Sequence, residues 1–399
     1  MTETVYLLEN HLGGIASFCS NLINYRPSVG GAQTAILLTN TTETLPKIKA
    51  RLGADVEAAF AYSSQENSYA VLRRLRATLP ATPGAIVSNS HLELALFSCY
   101  EPKQTVFQIV HDAFNLRLAN AYEKVVDVFI AHSCHVYEEL LNKLPHRASS
   151  IFHIPYGIKL APCARDPGQG QLRLLFLGRL TQGKGVFDLP KIDRSLSAAG
   201  LAARWTIIGD GPDGCELMSL LPPSERVHYT SPSSNDEVLA LCAECDILVL
   251  PTRFEGFPVA LLEAMSAGLV PVVSDLPSGI PEVVDVATGF RVAIGDIDGF
   301  VAPIVALDRD RARLEAMSRA ARNRAAGFDV HTRAPAYHAL FARARELKRP
   351  WAGPLPLKHG SRLDQPYLPN LFVWAARTVH AALNSSPSEA ERREERARS

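Results

Sequence analysis

Glu255 and Glu263 stand in an E-x7-E spacing within residues 246–275, DILVLPTRFEGFPVALLEAMSAGLVPVVSD. A carboxylate accepts two hydrogen bonds, enough to grip a vicinal diol such as ribose or a single sugar hydroxyl. Leu261, Leu262, Ala264 and Met265 surround Glu263 with apolar side chains, so this acid is expected to be semi-buried rather than a solvated helix charge. The apolar run Ile247–Leu250 reads as a buried strand, followed by Pro251 and a loop holding Glu255 and Gly256. A helix is expected to open near Phe257–Pro258, with proline at a first helical position. Unpaired amides at that start (Phe257, Val259, Ala260) suit an anion or sugar hydroxyls.

A second group is Gly178-Arg179-Leu180-Thr181-Gln182-Gly183-Lys184-Gly185, directly behind the strand candidate Leu172–Leu177. Glycines let this loop turn sharply against a ligand. Arg179 and Lys184 suit a phosphate, one through a planar fork and one as a point charge; the plainer reading is an exposed turn with two surface cations. Gly209–Gly214 spells G-x-G-x-x-G after the strand candidate Arg204–Ile208, which raises a nicotinamide-dependent oxidoreductase. Pro212 and the lack of an acid after the next strand, Val227–Thr230, weaken that match. Cys242 and Cys245 form a lone C-x-x-C, read as two small apolar residues on one helix face. Asp296/Asp298 and Asp308/Asp310 are D-x-D spellings at a turn and helix start, where acids are common, so no metal is assigned to them. Arg73, Arg74 and Arg76 lie among Val71, Leu72 and Leu75 on an amphipathic helix: a solvated face, or a contact with anionic lipid.

The elements that must position these residues alternate. Strand candidates in the first half are Val5–Leu8, Thr34–Leu38, Ala85–Ser88, Thr105–Val110, Val126–Ala131 and Ser150–Ile154, interleaved with helical stretches including Ile15–Asn24, Ser68–Leu79 and Val136–Leu144. The second half restarts with Leu172–Leu177, Arg204–Ile208, Arg226–Tyr229, Asp246–Leu250 and Leu269–Val273. This βα alternation signals parallel sheets with crossover helices. Expected boundaries are a first domain at 1–154, a Pro/Gly-rich linker at 155–171, a second domain at 172–349, a C-terminal segment at 350–384 and a disordered tail at 385–399.

The chain has 399 residues, 47% hydrophobic and 21% charged, a globular balance with room for two cores. Lys plus Arg equals Asp plus Glu at 41 each, so no overall field gathers nucleic acid or coats a membrane. Met1–Gly14 has no basic residue before its apolar run, unlike a secretory signal. The runs Val125–Ala131, Asp246–Pro251 and Leu371–Ala376 fall far short of the ~18 residues of a membrane span. Seven scattered cysteines argue for a reducing, cytoplasmic setting.

The joint order of these motifs resembles the retaining GT-B glycosyltransferases of family 4 (glycosyl transferases group 1). The resemblance runs through Gly13-Gly14, His111-Asp112, Pro155-Tyr156-Gly157-Ile158, Gly178-Arg179…Lys184-Gly185, Gly209-Asp210-Gly211-Pro212, Glu255…Glu263 and Gly279-Ile280-Pro281-Glu282. It implies an α/β fold of two facing Rossmann-like domains, with a C-terminal helical segment crossing back to the first. It implies donor contacts from Gly13, Gly14, Arg179, Lys184, Gly209, Glu255, Gly256, Phe257, Pro258, Val259 and Glu263. Arg179 and Lys184 would hold the diphosphate, Glu263 the ribose, Glu255 the sugar, and His111 would lie beside the reacting face. The plain alternative for His111 is a strand-end histidine bonded to a neighbour. Tyr156 departs from the family, where asparagine is frequent. The implied activity is metal-independent, retaining transfer from a nucleotide sugar, UDP-linked first and GDP-linked next, to a carbohydrate or lipid-linked acceptor in surface polysaccharide, glycolipid or glycoconjugate synthesis. No cofactor and no nucleic acid are expected as partners; a peripheral membrane contact fits. The other readings are the oxidoreductase using Gly209–Gly214 and a non-catalytic nucleotide-sugar-binding protein of the same fold.

Overall fold

A computed structural model describes residues 3–9, 13–27, 31–39, 52, 56–165, 170–357 and 361–384. The expected tail at 385–399, residues 10–12 and residues 166–169 of the linker lie outside them.

Two parallel sheets carry the chain. The first contains β1 (Glu3–Glu9), β2 (Gln33–Thr39), β3 (Val56–Ala61), β4 (Gly84–Ser88), β5 (Thr105–Val110), β6 (Val128–Ala131) and β7 (Ile151–His153), ordered β3-β2-β1-β4-β5-β6-β7. The second contains β8 (Arg173–Leu177), β9 (Arg204–Ile208), β10 (Val227–Thr230), β11 (Ile247–Leu250), β12 (Val270–Ser274) and β13 (Phe290–Val292), ordered β10-β9-β8-β11-β12-β13. In each sheet the strand order reverses beside the first strand. Open α/β sheets open a crevice for ligands at that point.

Alternation along the strands divides the first core. Tyr6, Leu8, Val87, Phe107 and Ile109 pack on one face, and Val5, Leu7, Ile86, Val106 and Val110 on the other. The helices α1 (Gly14–Asn24), α2 (Ser68–Thr78), α3 (His91–Cys99), α4 (Ala113–Ala121) and α5 (Cys134–Lys143) fill the crossovers. In the second domain α6 (Leu189–Ala198), α7 (Gly214–Leu220), α8 (Asn235–Ala243), α9 (Val259–Ala267), α10 (Ile280–Val283), α11 (Ile297–Arg309) and α12 (Arg311–Ala326) do so. Side-chain caps set several starts: Asp112 accepts from Asn115 N, and Ser234 from Glu237 N. Asp296 and Asp310 likewise cap α11 and α12.

Several expectations need correction. Strands β3 and β13 were not anticipated: β3, VEAAFA, carries few β-branched residues and lies at a sheet edge, and β13 has only three residues. The helix after β11 begins at Val259, and Pro258 is its extended N-cap rather than its first residue. Cys242 is in α8, but Cys245 lies past its end. Both are buried, and burial pushes the Cys245 thiol up to about 12.

The two chain crossings between the domains lie side by side. Ile158 N donates to Phe328 O, and Val330 N donates back to Ile158 O, both at 2.8 Å. Beyond this pair, α13 (Val330–Ala342) and α14 (Ala344–Leu347) return to the first sheet. Phe341 packs against Tyr6 and Phe107, and His338 meets the carbonyl of Leu22 at 2.9 Å. The segment beyond stays on the first domain. Trp351 Nε1 donates to Phe97 O at 3.0 Å, and Leu355 N to Ser98 O at 2.7 Å. The last described helix, α15 (Asn370–Asn384), is tied to the start of α2: Asn67 N donates to Asn370 Oδ1 and Ser68 N to Asp364 Oδ1, both at 2.7 Å. The C-terminal apolar stripe does not bury as a whole. Val373 is covered, but Leu371 is 77% and Phe372 57% exposed, because the attachment is made by polar groups at the helix start. Among the described residues no helix is long and apolar enough to cross a membrane.

Candidate active site

Loops from the carboxyl ends of both sheets line one cleft of about 790 Å3, within the ~300–1,000 Å3 of small-molecule sites. Every residue singled out for donor binding or catalysis lines it. Gly13, Gly14 and His111 come from the first domain. Arg179, Lys184, Gly209, Glu255, Gly256, Phe257, Pro258, Val259 and Glu263 come from the second. The domains touch across its floor: a Cβ on Gly256 would lie 1.8 Å from the carbonyl oxygen of His111. Only glycine permits that approach.

Three backbone ends converge on this space. Helix α1 begins behind Gly13, and α9 behind Pro258, with no side-chain cap on either. Their unpaired N–H groups and helix dipoles favour negative charge. Between them runs the loop after β8. Gly185 closes it with φ 72°, and a Cβ there would strike Pro251 O at 1.9 Å. That loop presents Lys184, whose Nζ donates to Glu255 Oε1 at 2.5 Å. The Lys184 and Glu255 side chains are 30% and 11% exposed, so this ion pair is shielded but reachable from the cleft. Arg179 is exposed at the rim. One cation is thus held by an acid and the other is presented to solvent.

Glu263, on the first turns of α9, is buried. Asn235 Nδ2, from the first residue of α8, donates to Glu263 Oε1 at 2.6 Å. Asn235 lines the cleft, and its Oδ1 is buried with no hydrogen-bond partner among the described residues. An orphaned acceptor of this kind costs about 1–3 kcal/mol, which a ligand hydroxyl or amide would relieve. Asn235 was missed in the sequence; it sits in a Ser/Asn/Asp run that signals only a helix start.

His111 is placed where its plain reading has it, at a strand end bonded to neighbours. It is a strand-end histidine with both ring nitrogens engaged, and it also lines the cleft. Nε2 meets Asn89 Oδ1 at 2.9 Å, and Nδ1 meets Tyr156 OH at 3.0 Å and His132 Nε2 at 3.2 Å. Tyr337 OH then meets His132 Nδ1 at 2.7 Å. Burial pushes the His111 imidazole down to about 3 and His132 well below its ordinary value. Both rings are therefore neutral at ordinary pH. Tyr156, the position that departs from the family, stacks on Phe257 with ring centroids 5.7 Å apart. It thereby joins the histidine cluster to the α9 entry. Asn89, His132 and Tyr337 come from three distant segments and carry no mutual signal in the sequence.

The Gly209–Gly214 loop is filled from beneath. Cβ atoms on Gly209 and Gly211 would meet Gly178 O at 1.9 Å and Leu180 O at 2.3 Å. These glycines admit the neighbouring β8 loop, which accounts for the G-x-G spelling without a dinucleotide.

Residues 171–310 match the family of glycosyl transferases group 1. The glycogen synthase of Mycobacterium tuberculosis is 30% identical over 255 residues, 61% of this chain and 57% of that one. The amylovoran biosynthesis glycosyltransferase AmsK of Erwinia amylovora is 32% identical over 177 residues, 42% of each chain. The chain spans about half the length of the curated relatives it matches. The fold is similar to that of Anabaena HepE, solved with UDP and glucose, with a TM-score of 0.70 and 16% identity over 86% of this chain and 100% of that one. The match to the glycosyl transferases group 1 is therefore carried by residues 171–310, in a chain whose two facing Rossmann-like domains form a GT-B fold.

Proposed function

We propose that this protein is a glycosyltransferase that moves a sugar from a nucleoside-diphosphate donor to an acceptor hydroxyl with retention of anomeric configuration, as in family 4. The observation that carries this reading is the convergence of Arg179, Lys184 and the α1 and α9 N-termini on one cleft beside Glu255 and Glu263. Cleavage of the donor places negative charge on the departing diphosphate. Preorganised cations and helix N–H groups stabilise that charge as it develops. Glu263 takes the ribose, with Asn235 holding it, while Glu255 steadies Lys184 through Oε1 and offers Oε2 to the donor sugar. On the sugar's front face the C1–O bond to phosphate breaks, the acceptor oxygen bonds to C1, and its proton passes to the leaving phosphate oxygen. Neutral His111, fixed by Asn89 and Tyr156, is a polar wall beside C1 rather than a proton donor.

The cationic pair makes a metal at the diphosphate unnecessary, so transfer should persist in EDTA. Loss on chelation with recovery on added magnesium would overturn this. UDP-sugars are the first choice of donor, supported by the UDP bound to HepE, and GDP-sugars the second. The relatives named for amylovoran and glycogen synthesis support a polysaccharide or glycoconjugate product. The exposed face of Leu371, Phe372, Trp374 and Val379 suits a peripheral contact with a membrane carrying a lipid-linked acceptor, on its cytoplasmic side. The deciding experiment is a thermal-shift screen of UDP-, GDP- and ADP-sugars, followed by transfer assays with the stabilising donor. Stabilisation by one class and transfer from it are expected. Stabilisation without transfer to any acceptor would favour a binding protein, and no stabilisation by any nucleotide sugar would sink the proposal.

A further inference from the structure

Cys134, His153 and Glu282 come together away from the residues that line the cleft. Each offers one ligand atom, and the three atoms lie within 4.8 Å of one another. Topology explains the meeting. Cys134 opens α5 just after β6, and His153 ends β7, the neighbouring strand, where it pairs with Ala131. Glu282 belongs to α10, behind β12 of the other domain. The cluster therefore bridges the two domains. A thiol, an imidazole and a carboxylate combine soft, borderline and hard donors, a set that suits zinc, whereas magnesium and calcium favour oxygen ligands throughout.

Two further observations point to a ligand. His153 Nε2 is buried with no hydrogen-bond partner among the described residues, although a buried ring nitrogen is ordinarily satisfied. Glu282 is already oriented across the gap, because its Oε1 accepts from Cys134 N at 2.7 Å. Tetrahedral bonds of ~2.0–2.3 Å place zinc ligands roughly 3.3–3.8 Å apart. A contraction of about 1 Å by three side chains, the exposed Cys134 among them, would close the shell, with water in the fourth position.

We infer that Cys134, His153 and Glu282 form an interdomain site for a divalent zinc-type cation, which fastens the second domain to the first. Binding releases the Cys134 thiol proton to solvent as the thiolate–metal bond forms. None of the three residues is among those that line the cleft.

Titration of the intact protein with Co2+ and then Zn2+ tests this without any assay of turnover. One equivalent of Co2+ should produce a thiolate-to-cobalt charge-transfer band that Zn2+ displaces, and Zn2+ should raise the unfolding midpoint. Cys134→Ser should abolish the band, and Glu282→Gln should weaken binding by at least the ~10–100-fold that loss of an outer-shell partner costs. Cys163→Ser and Cys215→Ser, at two other exposed cysteines, should change nothing. Cys134 is exposed, so its variant should fold, which circular dichroism checks. Absence of the band, or its survival in Cys134→Ser, would overturn the site. Undiminished affinity in Glu282→Gln would overturn its interdomain character.

Discussion

At the scale of single residues, the two cations of the β8 loop carry the sharpest expectation. Arg179→Ala or Lys184→Ala removes a charge-assisted contact that is strongest in the transition state, a loss of roughly 2.7–4 kcal/mol. Transfer should fall at least about a hundredfold while the melting curve stays near that of the parent. Near-normal turnover in either variant would remove these residues from the diphosphate. The buried imidazoles give a second expectation, in pH. His111 and His132 are neutral in the folded chain, with His111 depressed to about 3, whereas in the unfolded chain they take up protons below ~6.5. Their contribution to stability is complete above pH 6.5 and is lost as pH falls from there toward 3, by up to about 1.4 kcal/mol per pH unit for each ring. Unfolding midpoints should begin to drop between pH 6.5 and 5, before carboxylates titrate, and a flat profile there would contradict neutral burial. The cations and glutamates were legible in the sequence because their types and spacing lie within single loops. The supports of His111 were not, since Asn89, His132, Tyr156 and Tyr337 meet only after the sheet has formed and the chain has crossed back.

At the scale of elements, the loop before α9 acts as the seam between domains. Gly256 lies where His111 O leaves no room for a Cβ, so Gly256→Ala must push the two domain surfaces apart. Overpacking of this kind costs about 1–3 kcal/mol, expressed here as a wider cleft. The expected result is a raised donor KM and a kcat/KM at least about tenfold lower, with far-UV circular dichroism unchanged. Parent-like kinetics would show that the seam does not need this contact. The strand-to-loop-to-helix units were readable because apolar runs followed by glycine recur in both halves. Edge strand β3 was unreadable because its alanines and glutamate resemble a helix more than a strand. Pro258 was misplaced by one position because an N-cap and a first helical residue differ in backbone angles, not in composition.

At the scale of the whole molecule, the paired crossings at Ile158 and Val330 bring both interdomain strands of chain to one place, between two domains that share apolar core. They suit a hinge that closes the second domain over its donor. Truncation before Pro350 would remove Trp351, Leu355 and the α2 tie, so it should lower both the unfolding midpoint and activity. Truncation after Asn384 should change neither. A stable, active enzyme lacking 350–384 would show that the segment serves a membrane or a partner instead. The crossing was implied by the family resemblance, but not the manner of attachment: polar groups hold the segment and leave Leu371 and Phe372 in water. The same crossing has a consequence for biosynthesis. One face of the first sheet, with Tyr6 and Phe107, is covered by Phe341 of α13, which a ribosome makes roughly 180 residues after β7, about ten to forty seconds later at ~5–20 residues per second. The domain that is translated first is therefore finished last, its sheet lacking the Phe341 contacts until α13 has been made.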